Sequence, residues 1–422
     1  MQNRPDLNHE LRLWQHGAVF LFACAILISR RPDAIFHAQF FAEDGHVWFA
    51  DDYNVGLWSA LFQAHTGYFQ TLPRLGAALA LLAPFSLAPL VLNLIALAVQ
   101  ALPANLLLSS RSAGWGTLRT RALFAGICLA LPNCAEVSSG ITESQWLLAL
   151  CVILVLTASP PRSVAGMGFD CSMLLLCGLT GAFCIPLLPI AFFIVWRHRD
   201  RWRWVTSGLL AALCLVQAWA LLIVDPSGRK EAALGASPAL FARILGGQVY
   251  SATLLGHNKL ATLPGLPMLL FLVALAIAGT VLVAICIARA PWPLRVFLLF
   301  SMMLFALALI TPTGSIPDGI SAWRHLSTTT SVRYWFFPTL AFAWSVLWCV
   351  QSQTGVIKTV SAVLFCVMCF GIVRDWRHPA FTDMHFEEQV KRFEAAPAGT
   401  AITIPICPDG WTMELIKHSP GR

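Results

Sequence analysis

The distribution of charge constrains this chain more than any other feature of its sequence. Every Asp, Glu, Lys and Arg falls between long apolar runs, and none falls inside one. A charged side chain at the centre of a bilayer costs ~2.5–3.5 kcal/mol, so this pattern predicts apolar helices that cross a membrane. The predicted spans are residues 14–29, 76–108, 122–132, 145–157, 171–185, 186–196, 204–224, 263–288, 296–312, 334–350 and 359–373.

The composition supports the same fold class. Of the 422 residues, 57% are hydrophobic and only 12% are charged, whereas soluble domains have about 25% charged residues. Ten-residue segments of alternating hydrophobicity, which are typical of membrane β-barrels, are absent. The sequence therefore predicts an all-α polytopic membrane protein with about eleven spans. The net charge of +7 does not indicate nucleic-acid binding, because the basic residues are spread over many connections rather than one stripe.

The arginines predict the orientation. They gather in alternate connections: around Arg111 and Arg121, within 197–203, and at Arg289 and Arg295. Because cytoplasmic loops carry an excess of Lys and Arg, these connections are predicted to be cytoplasmic, as is the N-terminus. The segments 30–75, 225–262, 313–333 and 374–422 are then outside, in the periplasm of a bacterial inner membrane.

The segment 76–108 leaves two topologies open. It is long enough for two crossings, and Pro84 and Pro89 suit a break between them. Two crossings would move every later connection to the opposite side of the membrane. One net crossing, with part of the segment tilted, broken or re-entrant, keeps the arginine-rich connections inside, and we favour it.

An acidic cluster lies in the first outer loop, 30–75. Glu43, Asp44, Asp51 and Asp52 follow the first apolar run closely. We predict a membrane-parallel helix here. Its predicted lipid-facing side chains are Trp48, Phe49, Leu57, Trp58, Leu61 and Phe62. A carboxylate held at such a boundary can take a proton from a sugar hydroxyl that arrives from water.

The chain divides at about residue 373. Residues 1–373 are predicted to form a transmembrane catalytic domain, and 374–422 a small α+β cap on the outer, periplasmic side. Within the tail, 381–393 has the pattern of an amphipathic helix, and 399–405 that of a strand that ends at a Pro408-Asp409-Gly410 turn. About fifty residues cannot bury a large core alone, so we expect the tail to pack on the membrane domain.

This arrangement resembles the GT-C glycosyltransferases, which are polytopic enzymes that use polyprenyl-phosphate-linked sugars. The matching residues are Ala42-Glu43-Asp44-Gly45 in the first outer loop and Glu143 within 140–146. Arg333-Tyr334 at the start of a late span, together with the tail 399–411, resembles bacterial members that modify surface polysaccharides. The resemblance covers most of the chain as architecture but few residues as motif. It implies a polyprenyl-phosphate sugar donor, a glycan or glycolipid acceptor, and inversion at the anomeric carbon.

The resemblance also implies roles for the acidic residues. Asp44, or else Glu43, would be the catalytic base, and the other acid would bind a divalent cation or position the acceptor. Asp51, Asp52 and Glu143 are candidates for a second acidic or acceptor-binding site. Some GT-C enzymes need Mg²⁺ or Mn²⁺, and Glu43, Asp44 and His46 are the candidate ligands because carboxylate oxygens suit such hard cations.

In the implied transfer the lipid phosphate is the leaving group, and its negative charge needs positive charge at the outer face. The candidates to bind it are Arg333, Tyr334, Arg324, His325 and Lys259. Arginine can hold a phosphate with two donors at once. The alternative for each of these cations is that it lies at the lipid headgroups beside the end of a span.

Two other functions fit the same composition. A flippase or transporter of lipid-linked saccharides would place charged residues within spans and interrupted helices at matching positions in two halves. A polysaccharide polymerase or ligase of another fold would depend on outer arginines rather than on Asp44. Replacement of Asp44 and of Arg333 would distinguish the polymerase or ligase from a GT-C enzyme. Activity that survives the loss of Asp44 but not the loss of Arg333 would favour the polymerase or ligase.

Overall fold

The computed structural model describes residues 11–138, 140–225, 232–312, 316–317, 319–328 and 332–419. The N-terminus was predicted to be cytoplasmic, but residues 1–10 lie outside the described set. The described chain is mostly helical. The α-helices are α1 Leu13–Arg30, α2 Asp33–Phe36, α3 Ala50–Val55, α4 Leu57–Leu61, α5 Thr71–Ala80, α6 Ala88–Leu108, α7 Leu118–Leu129, α8 Ser144–Thr157, α9 Val164–Gly178, α10 Cys184–His198, α11 Arg201–Trp219, α12 Pro238–Ala242, α13 Ala252–Leu255, α14 Leu266–Arg289, α15 Trp292–Ile310, α16 Ala322–Leu326, α17 Phe336–Ser352, α18 Gly355–Arg374 and α19 Phe386–Ala395.

Within the described residues, six helical segments are long and apolar enough to cross a membrane: Leu13–Arg30, Phe85–Leu108, Arg201–Val224, Leu266–Arg289, Trp292–Ile310 and Gly355–Arg374. The chain is therefore a multi-pass membrane protein. Helices α8, α9 and α10 are apolar but shorter. All of α8, and α17 from residue 336 to 349, is buried in the protein, so these two helices form the centre of the bundle. The predicted total of about eleven spans stays a prediction.

The predicted cytoplasmic connections lie together at one end of the bundle. Arg111 donates to the backbone oxygen of Ser159 over 2.8 Å and forms a bidentate pair with Asp170 at 2.9 and 2.7 Å. The guanidinium of Arg203 lies 5.9 Å from the ring of Trp292. Asp170 was expected in the connection 158–170, but it lies inside α9, as the seventh of its fifteen residues. Its charge is compensated by Arg111, so the arginine-rich end of the bundle tolerates it.

The break in the segment 76–108 falls at residues 81–84, between α5 and α6. The backbone N–H of Thr71 donates to Leu179 at the end of α9, and Phe85 packs against Phe40 and Phe386. Both ends of α5 thus lie at the end of the bundle opposite Arg111. The stretch from 71 to 108 is therefore broken near that end of the bundle, and its single net crossing of the membrane stays a prediction.

One predicted outer loop is instead part of the bundle. Residues 238–255 within the segment 225–262 are helical throughout (α12, a π-helix Arg243–Ser251, and α13) and pack on α14, α17 and α18. The hydroxyls of Tyr250 and Thr280 are 3.2 Å apart. Residues 244–255 carry no charge, so their burial costs little. Gly246 permits the close approach, since a Cβ there would lie 2.2 Å from the backbone oxygen of Leu272.

This contact gives a test of the packing. We expect Gly246→Ala to lower the stability by about 1–3 kcal/mol, the usual effect of overpacking, because the atom that it meets is backbone and cannot rotate away. The matched control is Gly208→Ala in α11, where a Cβ has nothing within 4 Å. Thermal unfolding in detergent should show a lower midpoint for the first variant alone. Equal midpoints would contradict the described packing of the 238–255 segment.

The tail packs on the first outer loop. Strands β1 Ala401–Ile406 and β2 Trp411–Ile416 form an antiparallel hairpin in which Ala401 pairs with Ile416 and Ile406 with Trp411. The turn between them agrees with the predicted turn, whereas the predicted amphipathic helix begins later, at Phe386. The N–H of Cys407 donates to Phe40, and the N–H of Ala42 donates to Cys407.

The predicted membrane-parallel helix is broken and only partly exposed. A π-helix, Asp44–Phe49, runs into α3, and Gly56 separates α3 from α4 with a φ of 84°. Trp48 and Phe49 were expected to face lipid, but both are buried. Trp58 and Phe62 are exposed, at 74% and 68%. The first half of the segment is therefore held between the bundle and the tail, and only its second half presents apolar surface.

Candidate active site

A cavity of about 420 Å³ opens beside the first outer loop. Its lining includes both polar and apolar side chains. The polar ones are Glu43, His65, Thr66, Tyr68, Gln70, Thr142, Glu143, Gln145, Arg333 and Tyr334. The apolar ones include Phe183, Ile185, Pro186, Leu221, Leu304, Leu307 and Ala308. A cavity lined by both kinds of side chain can hold a molecule with a polar head and an apolar chain.

Glu43 is the acid of the predicted pair that faces this cavity. It precedes the π-helix, directly after Ala42, whose φ of 45° lies in the left-handed region. The hydrogen bond from Ala42 to Cys407 of the tail holds this unusual backbone. Within the described part of the chain, the Glu43 carboxylate makes no hydrogen bond or ion pair. It is thus half-buried and available to a ligand.

Asp44 does not line the cavity. It is 2% exposed, and its carboxylate accepts hydrogen bonds from the N–H of Ile141 (3.0 Å), the N–H of Thr142 (3.1 Å) and the hydroxyl of Thr142 (2.6 Å). Burial raises the pKa of Asp44 to about 6, against the effect of these bonds. The preferred assignment of Asp44 as the base does not fit this geometry, because its oxygens are occupied. The structure exchanges the two acids: Asp44 holds the backbone at 141–142, and Glu43 faces the ligand space.

Thr142 links Asp44 to the cavity wall. Its hydroxyl accepts a hydrogen bond from the indole N–H of Trp48 over 2.7 Å while it donates to Asp44. The ring of Trp48 meets that of His65 edge to face at 5.1 Å. Asp44 therefore positions Thr142, and through Trp48 also His65, without reaching the cavity itself.

Arg333 is the predicted phosphate-binding cation that the structure places in the cavity, together with Tyr334. Glu136 pairs with its guanidinium and also accepts its backbone N–H over 2.9 Å, and Glu143 lies 3.8 Å away. Burial opposes the charge, but Glu143, once it is ionised, and Glu136 outweigh the effect of burial and hold the pKa of Arg333 above its ordinary value. Arg324, His325 and Lys259 do not line the cavity, so the structure does not gather the five predicted cations in one place.

Glu143 lies in the cavity wall at the start of α8 and is buried. Burial raises the pKa of Glu143 to about 8. Arg333 opposes this rise, and the charges of Glu136 and Glu43 add to it. At neutral pH the carboxyl is consequently protonated, which makes it a hydrogen-bond donor in the same cavity as Glu43. A carboxyl kept neutral by burial can donate a hydrogen bond in a site where a second acid acts as the base.

Asp51 and Asp52, the predicted second acidic site, lie away from the cavity. Asp51 forms a 3.0 Å ion pair with Arg74, which is 1% exposed and also lies over the Trp48 ring. Asp52 is buried, and neither of its oxygens has a hydrogen-bond partner. Burial raises the pKa of Asp52 to about 7, against the effect of Arg74. Both acids belong to the packing between α3 and α5, so neither is placed to bind an acceptor.

The predicted metal ligands do not converge. The imidazole Nδ1 of His46 bonds to the backbone oxygen of Thr412 over 2.5 Å, and its ring meets Trp411 edge to face. Asp44 is occupied as described, which leaves only Glu43. Among the described residues no group of three or more His, Cys, Asp or Glu side chains could hold a metal ion. The residues at 43, 44 and 46 therefore do not fit a divalent cation, and a need for Mg²⁺ or Mn²⁺ stays an untested prediction.

Sequence analysis missed the turn at residues 65–68, which supplies His65, Thr66 and Tyr68 to the cavity. His65 and Tyr68 exchange backbone hydrogen bonds, and Gly67 has a φ of 91°. The N–H of Gly67 donates to Asp225, and the side chain of Gln217 bonds to both backbone groups of Phe69. The Thr66-Gly67 pair is a recognisable turn signal. Its anchoring by the end of α11 could not be predicted from local sequence.

Comparison with known proteins adds one structural likeness. No family model matches the chain, and no curated protein matches its sequence. Among solved structures, the chain is similar to the oligosaccharyltransferase of Archaeoglobus fulgidus in its apo form, with a TM-score of 0.42 and 10% identity. The match covers 92% of this chain and 59% of that protein. A likeness of this degree assigns no function, so the assignment depends on the cavity.

Proposed function

We propose that the protein is an inverting glycosyltransferase of the GT-C type. It transfers a sugar from a polyprenyl-phosphate donor to a glycan or glycolipid acceptor at the periplasmic face of a bacterial inner membrane. One observation carries the proposal: Glu43, whose carboxylate makes no hydrogen bond or ion pair among the described residues, shares with Arg333 a cavity that apolar side chains also line. A lipid-linked sugar phosphate has the matching parts, and a water-soluble acceptor can bind at the polar side chains.

The chemistry follows from the side chains in the cavity. The Glu43 carboxylate takes the proton of the acceptor hydroxyl as its oxygen bonds to the anomeric carbon. The bond between that carbon and the phosphate oxygen breaks, and the electron pair leaves with the lipid phosphate. Arg333 stabilises the phosphate charge. Because Glu143 is neutral at pH 7, only Glu136 compensates Arg333 directly. The acceptor attacks from the face opposite the phosphate, so the configuration inverts.

The test uses the full chain in proteoliposomes. A panel of radiolabelled polyprenyl-phosphate hexoses and pentoses is supplied with membranes that contain candidate acceptor glycans. We expect label to enter the glycan from one donor, and none from the same sugar supplied as a nucleotide. Movement of intact donor across the bilayer without transfer would instead favour the flippase. Transfer that requires a preformed oligosaccharide would favour a polymerase or ligase.

A blocked cavity sharpens the same experiment. Ala182 lines the cavity and is half-exposed, so Ala182→Phe should fill ligand space without displacing the core. We expect this variant to lose most transfer. Met302→Phe, on the exposed side of α15, should retain it. Equal transfer by the two variants would place the reaction elsewhere in the protein.

The raised pKa of Glu143 predicts a pH dependence. Below pH 8 the carboxyl is neutral; as the pH rises through about 8 it ionises and adds a negative charge beside the donor phosphate. We expect transfer to fall along an alkaline limb with an apparent pKa near 8. Glu143→Gln, which stays neutral, should lack this limb, whereas Asp51→Asn should keep it. A wild-type pH–rate profile that is flat to pH 9 would contradict the role of Glu143.

A further inference from the structure

A second, separate cleft lies behind the segment that Asp44 holds. It is lined by Arg30, Arg31, Asn93, Gly140 and His378, and by apolar side chains of α1 and α6. Gly140 lies between this cleft and Asp44, since a Cβ on Gly140 would be 2.1 Å from an Asp44 oxygen. The proposed transfer reaction uses none of these lining side chains, so the cleft needs its own explanation.

Two adjacent arginines are buried in the cleft wall, at 2% and 7% exposure. Arg30 is explained by the fold. Its guanidinium donates to the backbone oxygens of Leu129 (2.9 Å) and Leu131 (2.8 Å) at the end of α7, where the helix dipole favours a cation. Among the described residues, no carboxylate lies within 4.0 Å of either arginine. The pair therefore places two positive charges together with no directly paired anion among the described residues; Asp33, two positions along the chain, offsets part of the charge of Arg31 from a greater distance.

Arg31 is not explained in the same way. Its Nη2 donates to Ala135 over 3.1 Å and its guanidinium lies 4.5 Å from the Phe381 ring, but its buried Nε has no partner. An unpartnered buried donor on a charged group is costly. Burial lowers the pKa of Arg31 only to about 10, so the side chain is still charged at neutral pH. A ligand with negatively charged oxygens would satisfy both the donor and the charge.

The walls indicate where such a ligand comes from. The cleft lies between α1 and α6, whose outward side chains include Leu21, Phe22 and Leu94 at 70%, 68% and 45% exposure. These helices are apolar and face lipid in a membrane. The cleft volume is about 30 Å³, which suits phosphate oxygens and is too small for a sugar. A basic recess above lipid-facing helices fits the head of an anionic phospholipid.

We propose that Arg31, with Asn93 and His378 beside it, binds the phosphate of an anionic phospholipid between α1 and α6. The acyl chains lie along the outward faces of these helices. The bound lipid supports the Gly140 segment from the side opposite Asp44. This site is separate from the donor cavity, and its occupancy can be measured without any transfer reaction.

The test is native mass spectrometry of the full chain in detergent with added phosphatidylglycerol. We expect one lipid per chain, and about tenfold weaker binding in Arg31→Gln, the effect of losing a charge-assisted hydrogen bond. The matched control is Arg377→Gln, which removes an exposed arginine one residue from His378 and should bind as the wild type does. Diacylglycerol with the same acyl chains should not be retained.

A second variant keeps the test decisive if Arg31→Gln does not fold. Ile28 is half-exposed in the cleft wall, and Ile28→Trp closes the cleft while both arginines remain. We expect this variant to lose the lipid as well. Inorganic phosphate that competes at the affinity of the lipid would overturn the assignment to phospholipid in favour of a free anion. Wild-type retention of phosphatidylglycerol by both variants would overturn the site.

Discussion

Glu43→Gln is expected to reduce sugar transfer by a factor of about 10²–10⁴, the usual contribution of a general base, with no change in the amount of folded protein. The amide has nearly the shape of the carboxylate but cannot take a proton. Folding should be unaffected because the Glu43 side chain makes no hydrogen bond or ion pair among the described residues. The measurement is the initial rate of label transfer in proteoliposomes, normalised to protein that elutes as a single species.

The control for Glu43→Gln removes a comparable charge at the same end of the molecule. Asp383 is exposed, with 75% of its side chain accessible, so Asp383→Asn should transfer sugar at the wild-type rate. The kinetic constants separate two roles for Glu43. A base lowers kcat, whereas a residue that only binds the acceptor raises KM with kcat unchanged. More than half of the wild-type kcat in Glu43→Gln would exclude Glu43 as the base.

Asp44→Asn is expected to act through stability, by about 2–4 kcal/mol. One Asp44 oxygen accepts the N–H of Ile141, and the other accepts the N–H and hydroxyl of Thr142. In either orientation, the NH₂ group of asparagine must face one of these N–H donors. Hydrogen bonds to a charged group are worth ~1.5–3 kcal/mol each, and a buried donor left without a partner adds its own cost. Transfer should fall too, because Thr142 and Trp48 lose their support.

Asp52→Asn is the matched control for this substitution. Asp52 is also buried, but neither of its oxygens has a partner and its pKa is raised to about 7. A neutral amide should therefore be tolerated, with an unfolding midpoint equal to or above that of the wild type. Replacement of aspartate by asparagine is thus expected to destabilise the protein at position 44 but not at position 52. A wild-type midpoint and rate for Asp44→Asn would show that the hydrogen bonds at 141–142 carry little stability.

The helical bundle could be predicted because it depends on properties of single residues. Among the described residues, six apolar helical segments are of membrane-crossing length, the arginines at 111 and 203 belong to one end of the bundle, and the proline-containing break lies at 81–84. The segment 225–262 was wrongly expected to be an outer loop. Its uncharged middle part is able to enter the bundle, and its tertiary contacts, such as that of Gly246 with α14, show that it does.

The candidate site was predicted as a set of residues but not as an arrangement. Glu43, Glu143, Arg333 and Tyr334 do line one cavity, although they come from distant parts of the chain. Asp51 is paired with an arginine that sequence analysis did not associate with it, and His46 is held by the hairpin of the tail. These partners are set by long-range packing, so no local pattern reveals them.

By itself the sequence determined that this protein is a helical membrane protein with an acidic cluster after its first apolar run, because the cost of placing charge in lipid depends on residue type and spacing alone. Tertiary structure decided which acid faces the cavity. Adjacent side chains point in different directions, and only the packing of residues 140–142 against the first outer loop directs Asp44 into the protein and leaves Glu43 facing the cavity.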